Sequence, residues 1–316
     1  MTILAMLKLF KTIILSEGAL IYFIVNLTAG SGKAAAAVPL IEKIMLEHNA
    51  GYSLVYTNAP GDFPRISSLI DLNGAEALVC VGGDGTVQEY AGMAVGRGIK
   101  FGVIPAGSGN DLLYSLPGGE RNFSAFEEKI IFHTRKIIKG DVMPVDAVSV
   151  SGGKYFFNIA GTGIDIQVLK DALPLKKIFG GASYFISLIK NAVTYKTGPM
   201  TLTVDGVSET DRFLLLAVCN GAYYGGHMRI APPASVNDGF ITLCKVRKMP
   251  RLKLMTMFPR VRSGGHASLE EVSFVNCKSV KLEFEGRKTI NLDGNLVECE
   301  SPLSFEIVKD AVRFIV

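Results

Sequence analysis

Between Ile21 and Pro105 the chain alternates continuous apolar runs, rich in β-branched residues, with stretches of helical spacing. The runs are IYFIVN (Ile21–Asn26), SLVYT (Ser53–Thr57), ALVCV (Ala77–Val81) and KFGVIP (Lys100–Pro105). A run with no polar alternation suits a strand buried on both faces. Ile41, Ile44 and Met45 mark one side of a first helix, Arg65–Asn73 reads as a second and Val87–Val95 as a third. This order predicts a mostly parallel sheet with helices on both faces. Ligands of such sheets sit at the carboxyl ends of the strands. The glycine-rich loops of this half, LTAGSGK, GGDGT and PAGSGND, fall there.

Beyond about Asp141 the pattern changes. DAVSVSGGKYFFNIAG, MTLTVDGV, RFLLLAVCN, GFITLCKV, VKLEFEG and KTINLDGNLVE are short apolar runs split by Gly, Asn and Asp. They predict antiparallel β-structure, a sandwich or barrel, interrupted by one helix near Ile178–Val193. The expected organisation is an extension over residues 1–20, an α/β domain over 21–140 and a β-rich domain over 141–300. Residues 301–316 would form a C-terminal strand returning to the first domain, with a cleft between the two.

A chain of 316 residues buries a sizeable core, and 48% hydrophobic against 20% charged residues excludes a disordered protein. The net charge of +4 fits an anionic ligand or membrane surface without requiring either. The cysteines, Cys80, Cys219, Cys244, Cys277 and Cys299, show no metal spacing and read as reduced cytosolic thiols. His48, His133, His227 and His266 share no ligand spacing. The first twenty residues are apolar apart from Lys8, Lys11 and Glu17, too short and interrupted to span a bilayer. They read either as an amphipathic anchor or as an extension before the first strand.

VCVGGDGTVQE (Val79–Glu89) carries the most chemistry. Glycines at a strand-to-helix loop let the backbone approach an anion closely, and the following helix adds its positive end. Gly82, Gly83 and Gly85 therefore suit a polyphosphate, and Thr86 suits a cap or a phosphate oxygen. Asp84 would repel phosphate, so it is expected to face magnesium, the alternative being a tight turn that it caps. AGSGKA (Ala29–Ala34) is not a P-loop, because Leu27 and Ala34 stand where that motif needs glycine and a hydroxyl.

GGDGT at 82–86 with Glu89, PAGSGND at 105–111, NLTAGSGK at 26–33, PVDAV around Asp146, FFNIAGTG at 156–163 and GGHMRIAPPASVNDG at 225–239 together resemble one family. It is that of the bacterial diacylglycerol kinases and YegS-like lipid kinases, related to sphingosine and ceramide kinases. The resemblance runs from Ile21 to the C-terminus. It implies an NAD kinase- or phosphofructokinase-like α/β fold followed by a β-sandwich-like domain, and ATP-dependent phosphorylation of a lipid hydroxyl with magnesium. Carried over residue by residue, Asn26, Leu27, Thr28, Ala29, Gly30, Thr57, Gly82, Gly83, Asp84, Gly85, Thr86, Val87, Gln88, Glu89 and Ser108 fall on nucleotide-binding positions. Leu27 replaces the family's proline, Ala29 its serine and Ser108 its threonine. Asp146 matches an aspartate near the reacting groups.

Two departures stand out. The family's base is the glutamate of an Asp-Gly-Glu turn, and here the turn is Asp293-Gly294-Asn295. An amide takes no proton at neutral pH, and Glu298 would substitute only if the hairpin shifted. The family's structural magnesium segment reads PPASVNDG here, with Pro233 and Asn237 in place of carboxylates. Ser235, Asp238 and Phe240 remain as its candidate ligands, against an Asn-Asp-Gly turn with no metal.

The resemblance implies ATP and a lipid alcohol as partners, with a transient membrane surface, no nucleic acid, and a homodimer left open. It places the chain in the cytoplasm, peripheral to the inner membrane. Two basic, apolar stretches, Lys176–Lys196 and especially Lys245–Arg262, are the candidates for membrane docking. A catalytically impaired nucleotide- or lipid-binding regulator, motivated by Asn295, and an NAD kinase are the alternative functions.

Overall fold

The apolar runs of the first half become the strands of one twisted sheet. The structure is a computed structural model and describes residues 10–13, 20–57, 61–107, 109–117, 122–179 and 182–316. The chain divides into two units, one formed by Met1–Leu113, Gly118–Val145 and Asp310–Val316, the other by Tyr114–Pro117 and Asp146–Lys309.

In the first unit the elements in chain order are β1 (Phe10–Ile13), β2 (Leu20–Asn26), α1 (Lys33–Glu47), β3 (Tyr52–Thr57), α2 (Phe63–Leu69), β4 (Ala75–Gly82), α3 (Asp84–Tyr90), β5 (Lys100–Pro105), α4 (Asp111–Ser115, whose last residues belong to the second unit) and α5 (Phe126–Lys139). β2 pairs in parallel with both β3 and β4, and β4 with β5. Phe23, Ile24, Val25, Leu54, Val55, Val79 and Val81 are fully buried, as strands covered on both faces require. β1 pairs antiparallel with β3, so part of the expected N-terminal extension is an edge strand of the sheet. The remainder of residues 1–19 lies outside the described residues. The third helix starts at Asp84, three residues before its expected start, because Gly83 takes the cap position with an extended backbone and the polar Asp84-Gly85-Thr86 forms the first turn.

The second unit contains β6 (Val142–Val150, whose first residues belong to the first unit), β7 (Lys154–Phe156), β8 (Ile159–Gly163), α6 (Ile164–Phe179), α7 (Ala182–Thr194), β9 (Met200–Val204), β10 (Val207–Asp211), β11 (Phe213–Cys219), β12 (Tyr223–Tyr224), β13 (Met228–Arg229), β14 (Ile241–Arg247), α8 (Arg251–Val261), β15 (Val272–Cys277), β16 (Ser279–Glu283), β17 (Arg287–Leu292), β18 (Asn295–Glu300) and β19 (Leu303–Ile315). One antiparallel sheet runs β15-β14-β11-β8-β17-β18. β16 pairs antiparallel with β9 and with the start of β19. Phe156, Phe213, Leu216, Leu243, Leu282 and Phe305 fill the core. The end of β19 belongs to the first unit, where Arg313 and Phe314 pair in parallel with Lys100 and Phe101.

The helix expected near Ile178–Val193 is α7, and among the described residues α6 and α8 accompany it. The period-two spacing of Ile164, Ile166 and Val168 mimics a strand, and all three are buried in the helix. Among the described residues no helix is long and apolar enough to cross a membrane.

Candidate active site

At the carboxyl end of the first unit's sheet, small residues let three loops touch. Gly30 has φ +60°, and a Cβ there would lie 1.9 Å from the Ala106 carbonyl oxygen. Gly83 and Gly107 pass back to back, and a Cβ on Gly107 would lie 2.4 Å from Gly83 Cα. The Gly82 carbonyl accepts N–H bonds from Ala106 (2.8 Å) and Gly107 (3.1 Å). The chain has no side chain at these points because the backbones need the space. We expect Gly30→Ala to lose nucleotide binding and to destabilise the first unit by about 1–3 kcal/mol, read by ATP calorimetry and urea unfolding. Wild-type values in both would refute the packing argument.

Side chains tie the same loops. Asn26 Nδ2 donates to Thr86 Oγ1 (3.0 Å), while Asn26 Oδ1 accepts from the Thr28 hydroxyl (2.9 Å). Thr86 is buried and makes no cap, so its hydroxyl ties loops together and is turned away from solvent. Leu27 N–H reaches the Thr57 carbonyl (2.8 Å), and the buried Thr57 hydroxyl donates to Asp62 (3.0 Å). Burial raises the Glu89 carboxyl, against the opposing Gly61 N–H, and the Asp62 charge raises it further. Leu27 and Ala29 pack against the core, Val87 is buried, and Gln88 is half-exposed. Ser108 lies outside the described residues.

The geometry revises the loop's electrostatics. Thr86 and Val87 N–H groups bond the Gly83 carbonyl at 2.9 and 3.1 Å, so these two amides are already engaged within the loop and first turn. Asp84 is turned onto the next loop. Its Oδ2 accepts the Asn110 N–H and its Oδ1 the Asp111 N–H, both at 2.7 Å. It thereby satisfies first-turn donors of α4, a role the sequence reading missed because the partner lies 26 residues away. Burial, then the charge of Asp111, push the Asp84 carboxyl up to about 6, against the two N–H bonds. Half-buried Asp84 and buried Asp111 are like charges near enough to repel, a repulsion that a hard divalent cation would relieve.

This shift has a sign that can be tested. A carboxyl whose folded pKa exceeds its unfolded value makes the folded state bind more protons between about pH 4 and 6, so stability falls as pH rises through that window. Relative to wild type, the non-titrating Asp84→Asn should gain up to about 3 kcal/mol between pH 4 and 7. Urea unfolding of both proteins measures it, and a pH-independent difference would refute the assignment.

In the second unit the Asp293-Gly294 turn, with φ of 45° and 95°, closes the β17–β18 hairpin in the register Leu292↔Asn295. Asp293 carries much of the local order. Its carboxylate accepts N–H bonds from Phe157 (2.7 Å), Asn158 (3.1 Å) and Ile159 (2.7 Å). Asn220 Nδ2 extends the network to the carbonyls of Phe157 (2.7 Å) and Asp146 (2.9 Å). Asn295 is half-exposed at the turn. Glu298 does not replace it. It pairs in register with Thr289 and bonds its hydroxyl, and lies 3.9 Å from Lys170. Residues 295 and 298, an odd number apart on one strand, face opposite sides.

Asp146 is fully buried, and its Oδ2 accepts the Gly239 N–H at 2.7 Å. It holds the 232–239 loop in place and is not open to solvent. In that loop the Ser235 hydroxyl donates to Asn237 (3.0 Å), and Asp238 Oδ1 accepts the Phe240 N–H (2.9 Å). Burial raises the Asp238 carboxyl, and the Asp146 charge adds to it. Among the described residues no cluster of three acidic, His or Cys groups surrounds a metal-sized gap. The hydrogen bonds of Ser235, Asp238 and Gly239 build a turn held by Asp146.

Asp165 is among the acidic residues that the sequence reading did not single out. Asp165 accepts the Tyr224 hydroxyl (2.7 Å), and its other oxygen is buried with no hydrogen-bond partner among the described residues. Burial pushes its carboxyl up to about 6. Its only signal in the sequence is a charge inside an apolar run.

Residues 20–150 match the diacylglycerol kinase catalytic domain, and residues 158–316 match the YegS C-terminal NAD kinase beta sandwich-like domain. The chain belongs to the diacylglycerol kinase and YegS-like lipid kinase family. Within the family it is 29% identical to a diacylglycerol kinase of Mycobacterium tuberculosis (strain ATCC 25618 / H37Rv) over 242 residues, 76% of each chain. A diacylglycerol kinase of Bacillus subtilis (strain 168) is 26% identical over 269 residues, 84% of this chain and 86% of the relative. The fold matches the crystal structure of a putative diacylglycerol kinase from Bacillus anthracis str. Sterne, with a TM-score of 0.77 at 23% identity, covering 95% of this chain and 96% of that one.

Proposed function

We propose that the chain is an ATP-dependent kinase acting on the hydroxyl of diacylglycerol or a related lipid alcohol. The observation that carries this reading is the convergence of the loops ending β2, β4 and β5, through Gly30–Ala106 and Gly83–Gly107, at the carboxyl end of the sheet. The acceptor oxygen attacks the γ-phosphorus, the bond to the β,γ-bridging oxygen breaks, ADP leaves, and the acceptor's proton passes to solvent or a base. Gly83 and Gly85 amides would hold phosphate oxygens, and Asn26 and Thr86 would keep the loops in register. Asp84 and Asp111 would hold magnesium, which supplies neutralisation of the triphosphate charge. With Asn295 at the hairpin, the proton-accepting step is the weak one.

The acceptor resides in a membrane, and the second unit offers a surface for it. Leu252 is 76% exposed and Met255 42%, on a helix that begins with Arg251 and is flanked by Lys248 and Arg262, while α7 exposes Ile186, Ile189 and Val193. Exposed apolar groups beside basic ones suit an anionic leaflet.

Incubating the purified chain with labelled ATP, magnesium and a panel of lipid alcohols tests the proposal. Label is expected in a lipid phosphate. Nucleotide binding with no transfer to any lipid would favour the regulator. Label in NAD would favour an NAD kinase, which the lipid-kinase names of the relatives do not support.

A further inference from the structure

A second concave site lies at the opposite ends of the same strands. Residues at the starts of β4 and β5 and the end of β19 line a pocket of about 560 Å³ within the first unit. Its polar lining is Arg97, Lys100 and Arg313, with Glu76 and Asn73. Strand rise places it about 20 Å from the glycine loops.

The charges here are not self-compensating. Lys100 and Arg313 are register partners on adjacent parallel strands, so two cations stand side by side on one face. Glu76 pairs with Lys100 at 2.9 Å, and Arg313 donates to the Gly98 carbonyl at 3.2 Å. Arg97 makes no side-chain hydrogen bond or ion pair among the described residues, although both arginines are exposed at the pocket. Like charges directly opposite one another on a sheet are destabilising, and one carboxylate offsets only one of three cations. Solvated lysines and arginines on a convex surface diverge. These converge on a concavity of ligand size, with two guanidinium forks that match phosphate oxygens.

We propose that this pocket binds a phosphomonoester or phosphate dianion, at a site separate from the glycine loops. The ligand chemistry has two sources, a free phosphate compound or the headgroup of a phosphatidic acid. The inference stands whether or not the chain is a lipid kinase.

Backbone-amide NMR of the full chain, titrated with inorganic phosphate and separately with dihexanoyl phosphatidic acid below its micelle concentration, tests it. Saturable shifts are expected at Asn73, Gly98, Ile99 and Lys100, weakened at least tenfold in the double variant Arg97→Gln/Arg313→Gln. Both residues are exposed, so the variant's own spectrum reports that it folds. Equal response to the two probes assigns the site to free phosphates, and a response confined to the lipid assigns it to a headgroup. Shifts that sodium chloride reproduces at equal ionic strength, shifts confined to the glycine loops, or affinity unchanged in the double variant would overturn the proposal.

Discussion

Asn295→Glu is expected to raise the turnover of lipid phosphorylation by about a hundredfold or more, the usual yield of a positioned general base. The hairpin is indifferent to the exchange. Its geometry comes from Asp293 and Gly294, both at positive φ, and from the Asp293 carboxylate gripping the 157–159 backbone. Residue 295 is half-exposed, so a longer side chain has room. Glu298 already sits nearby in sequence, but it faces the other side of the strand and bonds Thr289. The measurement is kcat and KM for both proteins across pH 5–9. A gain in kcat at constant KM for ATP, with a new rising limb of the pH profile, would establish that the native chain runs without its base. An active wild type that the substitution leaves unchanged would show that the proton leaves by another route. A silent wild type rescued by glutamate would identify a regulator derived from an enzyme.

Asp293→Ala should be the most destabilising single change in the second unit, at about 3–5 kcal/mol. Three backbone amides lose their acceptor, each costing about 1–3 kcal/mol when left buried and unpaired, and alanine is strained at φ 45°. Asp293→Asn separates the effects, since asparagine tolerates that backbone and keeps one acceptor oxygen. It should retain about half the stability difference. Urea unfolding followed by circular dichroism checks both. Values within 1 kcal/mol of wild type for the alanine variant would mean that the hairpin, and not the aspartate, holds the 157–159 segment.

The sheet of the first unit was legible because strands buried on both faces leave an unbroken apolar record, as in ALVCV and IYFIVN. Its glycine loops were legible because no other residue fits where backbones touch. What those loops do with their polar groups was not. Asp84 and Thr86 look poised for a ligand in one dimension, yet each satisfies a partner contributed by a distant loop. The same holds for Asp293, whose turn-forming role is local and visible, while its grip on Phe157, Asn158 and Ile159 spans more than 130 residues. α6 was missed because Ile164, Ile166 and Val168 alternate like a strand. α8 was missed because its segment, Lys245–Arg262, was read for its basic and apolar side chains as a membrane-docking candidate and not for helical spacing. The lipid-kinase family was visible in the combination of GGDGT with PAGSGND.

The C-terminal strand has a consequence for biosynthesis. Arg313 and Phe314 complete the sheet beside β5, and they leave the ribosome after every residue of the second unit. Until then the β5 edge has unpaired backbone groups, the kind of edge that recruits foreign strands. A truncated gene product ending before residue 310 should therefore precipitate even though it encodes all the glycine loops, and co-expressing the missing tail as a peptide is the natural remedy to try.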